Sequence, residues 1–201
     1  MIPESEFIIN SDGTAFHLHM KPEFLADNVI LVGDQGRVDM IKEFLSDIES
    51  EGISREFHHV TGHYNGKRVT VLSTGIGPDN IDITVNELDA LANLDFKTRE
   101  FKPEHRKLTI LRIGTCGAIR PEIPLGGYVL SEMSLGFDGL ANWYQGYDSV
   151  TEKDIEDAFV KYMNWNERLA TPYFVKSSQS LIDKFKGEVF CGITMSAPGF
   201  Y

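Results

Sequence analysis

The 201-residue chain carries 19 Lys+Arg against 30 Asp+Glu, a formal net charge of −11, with 42% hydrophobic and 24% charged residues. An acidic chain with no basic stripe is repelled by nucleic acid at long range, so nucleic acid is not an expected partner. No run approaches the ~20 apolar residues of a membrane helix, and Cys116 and Cys191 form neither a disulfide framework nor a metal spacing, which suits a reducing cytoplasm.

The N-terminal "MIPESEFIIN" has no basic region followed by an apolar stretch, so no secretory signal is expected. "NVILVG" (Asn28–Gly33) reads as a short apolar strand. "VDMIKEFLSDIE" follows as a helix, with Val38, Ile41, Phe44, Leu45 and Ile48 at helical spacing. "SREFHHVTGHY", Asn65-Gly66 and "KRVTVLS" predict a β-hairpin, because Asn-Gly favours a type I′ turn. "DNIDITVNELDALANL" is the next helix, with Ile81, Val85, Leu88 and Ala92 on its apolar face. "LTILRIG" and "GYVLSEMSLG" read as strands, "TEKDIEDAFVKYM" and "SQSLIDKF" as helices, and "EVFCGITMS" as a last strand. Short apolar strands between helices define an α/β fold with a parallel or mixed sheet, expected here as one domain. The stretches 95–107 and 138–170 read as insertions that decorate the surface.

Arg112 breaks the apolar pattern of "LTILRIG". Both faces of that segment are otherwise mostly apolar, which predicts a central strand. An unpaired buried charge costs several kcal/mol, so Arg112 needs a partner or access to water. The structural reading is an ion pair or a guanidinium that reaches solvent. The functional reading rests on position. Arg112 lies two residues before Gly114, at the carboxyl end of its strand, where open α/β sheets bind ligands. "VILVG" also ends in a glycine, Gly33, four residues before Arg37; "VTVLS" runs into "TGIG" (Thr74–Gly77). Arginine forks suit phosphate, and glycines let backbone N–H groups approach an anion. "GDQGR" is not a P-loop, and "GIGPDN" has Asn80 where a dinucleotide motif needs its third glycine. A small-anion site built from several strand ends remains.

"GDQGR" (Gly33–Arg37), "STGIG" (Ser73–Gly77) and "LRIGTCGAI" (Leu111–Ile119), in this order, together with "FHLHM" (Phe16–Met20), "REF" (Arg55–Phe57) and the terminal "GITMSAPGFY", resemble the nucleoside phosphorylases of the uridine phosphorylase type. The resemblance implies a mixed central β-sheet curling into a distorted barrel, flanked by α-helices. It implies phosphorolysis of a nucleoside, uridine above all, by inorganic phosphate as co-substrate, with no cofactor and no metal. Gly33, Arg37, Arg112 and Thr115 would bind phosphate, with Arg112 and Arg37 as the catalytic pair. Thr115 would also touch the nucleoside. Arg55 would reach the phosphate of a neighbouring subunit's site and His17 would cross the same interface towards the ribose. Phe200 would pack against ribose or base. A homodimer would be the minimal unit, building a hexamer. Two departures stand out near these motifs: Gln35 replaces the family's usual proline, and Cys116 a frequent Thr or Ser. Family chains also continue beyond "GFY", through a Gln and an Arg that read a pyrimidine and a Glu-Met-Glu stretch that holds the ribose. The resemblance therefore implies a chain short of that segment.

Other candidates weigh less. His58, His59 and His63 lie close together and are expected to be solvent-exposed strand histidines rather than a metal site. Glu87 and Asp89, two apart, fall on different helix faces and form no catalytic carboxylate pair. Cys116 is expected to pack as a small residue. Two other function classes stay open. A hydrolytic nucleosidase on the same fold would not need three arginines around a phosphate. A non-catalytic anion or nucleoside binder would bind without turnover.

Overall fold

β-branched and leucine-rich alternation in two segments builds the centre of the first of two units, Met1–Cys116 and Gly117–Tyr201, in a computed structural model that describes residues 1–185, 187 and 189–199. In the first unit β1 (Asn28–Val32), α1 (Gln35–Lys42), β2 (Ser46–Ser54), β3 (Phe57–Tyr64), β4 (Lys67–Ser73), α2 (Pro78–Asn93), β5 (Leu94–Asp95), β6 (Glu100–Phe101) and β7 (Thr109–Ile113) follow one another. Five strands form a mixed sheet in the order β2-β3-β4-β1-β7. β1 runs parallel to both β4 and β7, while β2, β3 and β4 are joined antiparallel.

The period-2 pattern of the strands decides which helix covers which face. Val29 and Leu31 of β1 share a face with Leu72 of β4 and pack on Leu88 and Leu91 of α2. Val32, Val69 and Val71 point the other way and meet Val38 and Ile41 of α1. The Asn65-Gly66 turn joins β3 and β4 with both residues at positive φ (47° and 75°), as a type I′ turn requires. The α/β class and the mixed sheet flanked by helices are as expected. The curl into a barrel is not: among the described residues this sheet is open, with β2 and β7 as its edges.

Three local expectations are corrected. The helix read through Glu49 stops at Lys42, and β2 takes up the chain from Ser46. Phe44 stays 70% exposed; the sheet gains more by pairing β2 with β3 than α1 would by adding another turn. Second, the buried stripe of α2 runs through Thr84, Glu87, Leu88 and Leu91, while Val85 is exposed. Third, β7 is an edge strand, and Arg112 on it is exposed rather than buried.

The second unit contains β8 (Val129–Gly136), α3 (Lys153–Met163), β9 (Tyr173–Lys176), α4 (Gln179–Phe185) and β10 (Phe190–Ser196). β8 is central, parallel to β10 and antiparallel to β9. The stretch 138–170 does more than decorate this unit. Trp165 stacks on Phe137, Phe159 meets Trp165 at a tilt and Phe174 edge-on, and the fully buried Glu156 accepts from the Tyr147 hydroxyl and the Phe174 N–H.

Candidate functional site

The parallel register brings the ends of β1, β4 and β7 level: Val32 pairs with Ser73 on one side and Ile113 on the other. Each strand then meets a glycine, Gly33, Gly75 or Gly114, so the turns share the carboxyl edge of the sheet. Arg112 pairs with Leu31 across β1 and β7, on the face that α2 covers, one step beyond the last residue packed on that core, Ile110. Its guanidinium folds back over the glycines. A Cβ at Gly33 would lie 3.9 Å from Nη2, and one at Gly114 only 2.3 Å from Nη1. Gly114 thus leaves room for the guanidinium. Gly75 is fixed twice over, by a φ of +71° and by Asn80 and Glu56 atoms 2.7 Å from where a Cβ would sit.

Arg37 sits in the first turn of α1, four residues after Gly33 and half-buried. The helix start is set by Asp34, whose carboxylate accepts from the Gly36 N–H at 2.8 Å. Among the described residues neither Arg37 nor Arg112 has an acidic partner. Thr115 follows Gly114 in an exposed stretch. Phe200 lies outside the described residues.

Arg55 and His17 form a second cluster. Arg55 stands in the two-residue turn between β2 and β3 at φ 54°, a left-handed conformation uncommon outside glycine. The Gln35 side chain donates to the Arg55 carbonyl at 2.6 Å, which ties this turn to the start of α1. The Arg55 guanidinium lies 5.8 Å over the Phe16 ring, within cation–π range. Phe16 in turn meets the His17 ring edge-on at 4.8 Å. The two residues expected to cross a subunit interface are therefore linked through one aromatic ring.

The Glu87 carboxylate is the group that sequence reasoning missed. Only 7% exposed, it accepts from the backbone N–H groups of His17 and Leu18 and lies 2.6 Å from His17 Nδ1. Its place three residues after Thr84 and four before Leu91, on the buried stripe, was the available signal. His59 completes the support. Its Nδ1 donates to the Leu18 carbonyl at 3.2 Å and its Nε2 accepts from the Ser50 hydroxyl at 3.2 Å. Burial lowers the His59 pKa from 6.5 to about 4. The expectation of solvent-exposed histidines fails here: His58 and His59 are each 1% exposed. The hydrophobic alternation breaks down on β3 because both of its faces are covered. His58 stands between Glu51, 3.2 Å from Nε2, and Asp39, 3.8 Å from Nδ1. Lys42 already pairs with Glu51, so this trio is a charge network with its own cation.

Parallel strands that end on glycine turns, beside arginines without an acidic partner among the described residues, are what the strand-end reading asked for, and comparison identifies the family. The phosphorylase superfamily model matches residues 27–201, and the chain belongs to that superfamily. It is 26% identical to the uridine phosphorylase of Thermococcus kodakarensis over 191 residues, covering 94% of this chain and 63% of that protein. It is 35% identical to a DeoD-type purine nucleoside phosphorylase of Thermoanaerobacter over 129 residues, 64% of this chain and 49% of that one. A Trypanosoma brucei nucleoside phosphorylase, described as showing uridine phosphorylase activity, superposes with a TM-score of 0.77 at 28% identity, covering 97% of this chain and 70% of its own. The chain thus spans about half to two-thirds of the length of these curated relatives. Among the described residues no helix is long and apolar enough to cross a membrane.

Proposed function

We propose that the chain carries the phosphate site of a nucleoside phosphorylase that acts on uridine in preference to purine nucleosides. The single observation that carries this reading is the Arg112 guanidinium, without an acidic partner among the described residues, lying against Gly33 at the edge where three parallel strands end. A phosphate oxygen would bond to the anomeric carbon of the ribose as the glycosidic C–N bond breaks and the base leaves with the electron pair. The transition state resembles an oxocarbenium ion, as in glycoside cleavage. An anion held directly beneath the sugar stabilises that charge. Arg37 and Arg112, with the Gly33 backbone and the Thr115 hydroxyl, would aim it. Positioning of this kind supplies roughly 7–11 kcal/mol of a barrier. Phosphate is itself the nucleophile, so the reaction calls for no cofactor.

Arg55 and His17 would complete a neighbouring copy's site, Arg55 on the phosphate and His17 on the ribose. Their proximity through Phe16 supports a homodimer as the minimal unit, with a hexamer as its further assembly. The low cysteine content supports a cytoplasmic setting. Uridine and inosine cleavage, each with and without inorganic phosphate, tests the reading. Base release that requires phosphate and favours uridine is expected. Equal release without phosphate would make the protein a hydrolase and overturn it.

A further inference from the structure

Glu87 does more than fill the buried side of α2. Its carboxylate receives the Leu18 N–H at 2.9 Å and the His17 N–H at 3.0 Å, and faces His17 Nδ1 at 2.6 Å. An ionised carboxylate only accepts hydrogen bonds. Nδ1 must then carry a hydrogen, and in a neutral imidazole Nε2 is left with its lone pair. Phe16 braces the ring edge-on, and His59 holds the Leu18 carbonyl from the other side. The His17 side chain is nonetheless 25% exposed and lines a groove of about 470 Å³ with Phe16, Ile83, Asn86 and Phe101.

We propose that Glu87 is a positioning residue that locks His17 in its Nδ1–H tautomer, so that the ring presents Nε2 as an acceptor to a substrate hydroxyl. The inference rests on the reading that His17 faces a ribose, and it sets what that contact demands: a hydroxyl that donates. The substitution Glu87→Gln exposes the logic. The amide offers one accepting oxygen and one donating NH₂. The two backbone N–H groups of residues 17 and 18 cannot change, but an imidazole can move its hydrogen. The amide oxygen therefore turns to the backbone, the NH₂ donates to Nδ1, and the ring hydrogen shifts to Nε2. The acceptor becomes a donor.

Nitrogen-15 NMR of the imidazole, on the alkaline side of neutrality, distinguishes protonated from bare ring nitrogens. In the wild type His17 should show Nδ1–H, and in Glu87→Gln it should show Nε2–H. With uridine and phosphate, KM for the nucleoside should rise about tenfold in Glu87→Gln, the worth of one hydrogen bond, while kcat stays within about twofold. In a His17→Ala background Glu87→Gln should add nothing further, since the two residues act as one unit. A wild-type ring in the Nε2–H form overturns the proposal whatever the stability of the variant. So does a Glu87→Gln effect on KM that is as large without His17 as with it. If the wild type gives no phosphate-dependent turnover, the phosphorolytic reading falls, and the ring nitrogens still decide the tautomer.

Discussion

At the strand ends, Arg37 and Arg112 stand without acidic partners among the described residues, and the Arg112 guanidinium lies against Gly33 and Gly114. Around His17, by contrast, the backbone N–H and one ring nitrogen are already bonded to a buried carboxylate. On the proposed reading, the first region keeps its charges free for a small ion whose own charge completes the site. The second holds a ring by one nitrogen so that the other has one role. An ion can approach a guanidinium fork from several directions, and its long-range attraction tolerates small errors of placement. A single directional hydrogen bond tolerates much less, and a buried clamp supplies the missing precision.

The strongest way to break this comparison is Arg112→Ala. Phosphate-dependent turnover should fall about 10²–10³-fold, as for loss of a donor to developing charge. Because the side chain is exposed, the unfolding free energy from urea titration should stay within about 0.5 kcal/mol of wild type. A large loss of stability would mean that Arg112 is structural. Acid should weaken the clamped region through His59. Folding keeps this imidazole neutral down to about pH 4, whereas the unfolded chain takes up a proton below about 6.5. The unfolded state binds more protons in that window, so stability falls as pH drops from 6.5 to 4, by about 3 kcal/mol, and levels off below it. Urea unfolding across this range should show the slope, and His59→Gln should flatten it.

Phosphate sharpens the contrast further. At about a hundredfold excess over its dissociation constant it should stabilise the wild type by about 2.7 kcal/mol. Arg112→Ala should lose that protection, which thermal unfolding in phosphate against chloride would report. Arg55→Gly should also change the fold little. Relief of the left-handed backbone offsets the loss of the Phe16 contact, so unfolding changes by less than about 1 kcal/mol. Activity should still drop, because the strain at this turn serves the guanidinium.

Much of the strand-end crevice was legible because its signals are local. Gly33 and Gly114 each follow an apolar run directly, Gly75 follows one after Ser73 and Thr74, and Arg112 interrupts one. Parallel pairing then brings their ends to one edge. The clamp was not legible, because Glu87 and His17 are 70 residues apart and nothing in "NELDAL" says which turn of α2 faces the loop. The stripe read through Ile81 and Val85 was rotated from the true one, which placed Glu87 outside it. β2 was missed for a related reason. Phe44 and Ile48 fit a helical period by spacing alone, but both remain exposed, and the pairing with β3 that wins is a long-range term no local window contains. The burial expected for Arg112 failed because a two-sided apolar pattern cannot distinguish a central strand from an edge strand whose helix-facing side is covered.

The register of β1 carries a consequence for assembly. Its partners lie about 40 and 80 residues downstream, at Val69–Ser73 and Thr109–Ile113, whereas β3 and β4 meet across a two-residue turn. Long loops must close before β1 gains any ladder, so the hairpin should form early and the anion crevice last. Val60→Ala should then chiefly slow refolding and Leu31→Val chiefly hasten unfolding, as stopped-flow chevrons would resolve. On the proposed reading, a nascent chain would thus acquire a grip on phosphate only once the whole first unit has closed.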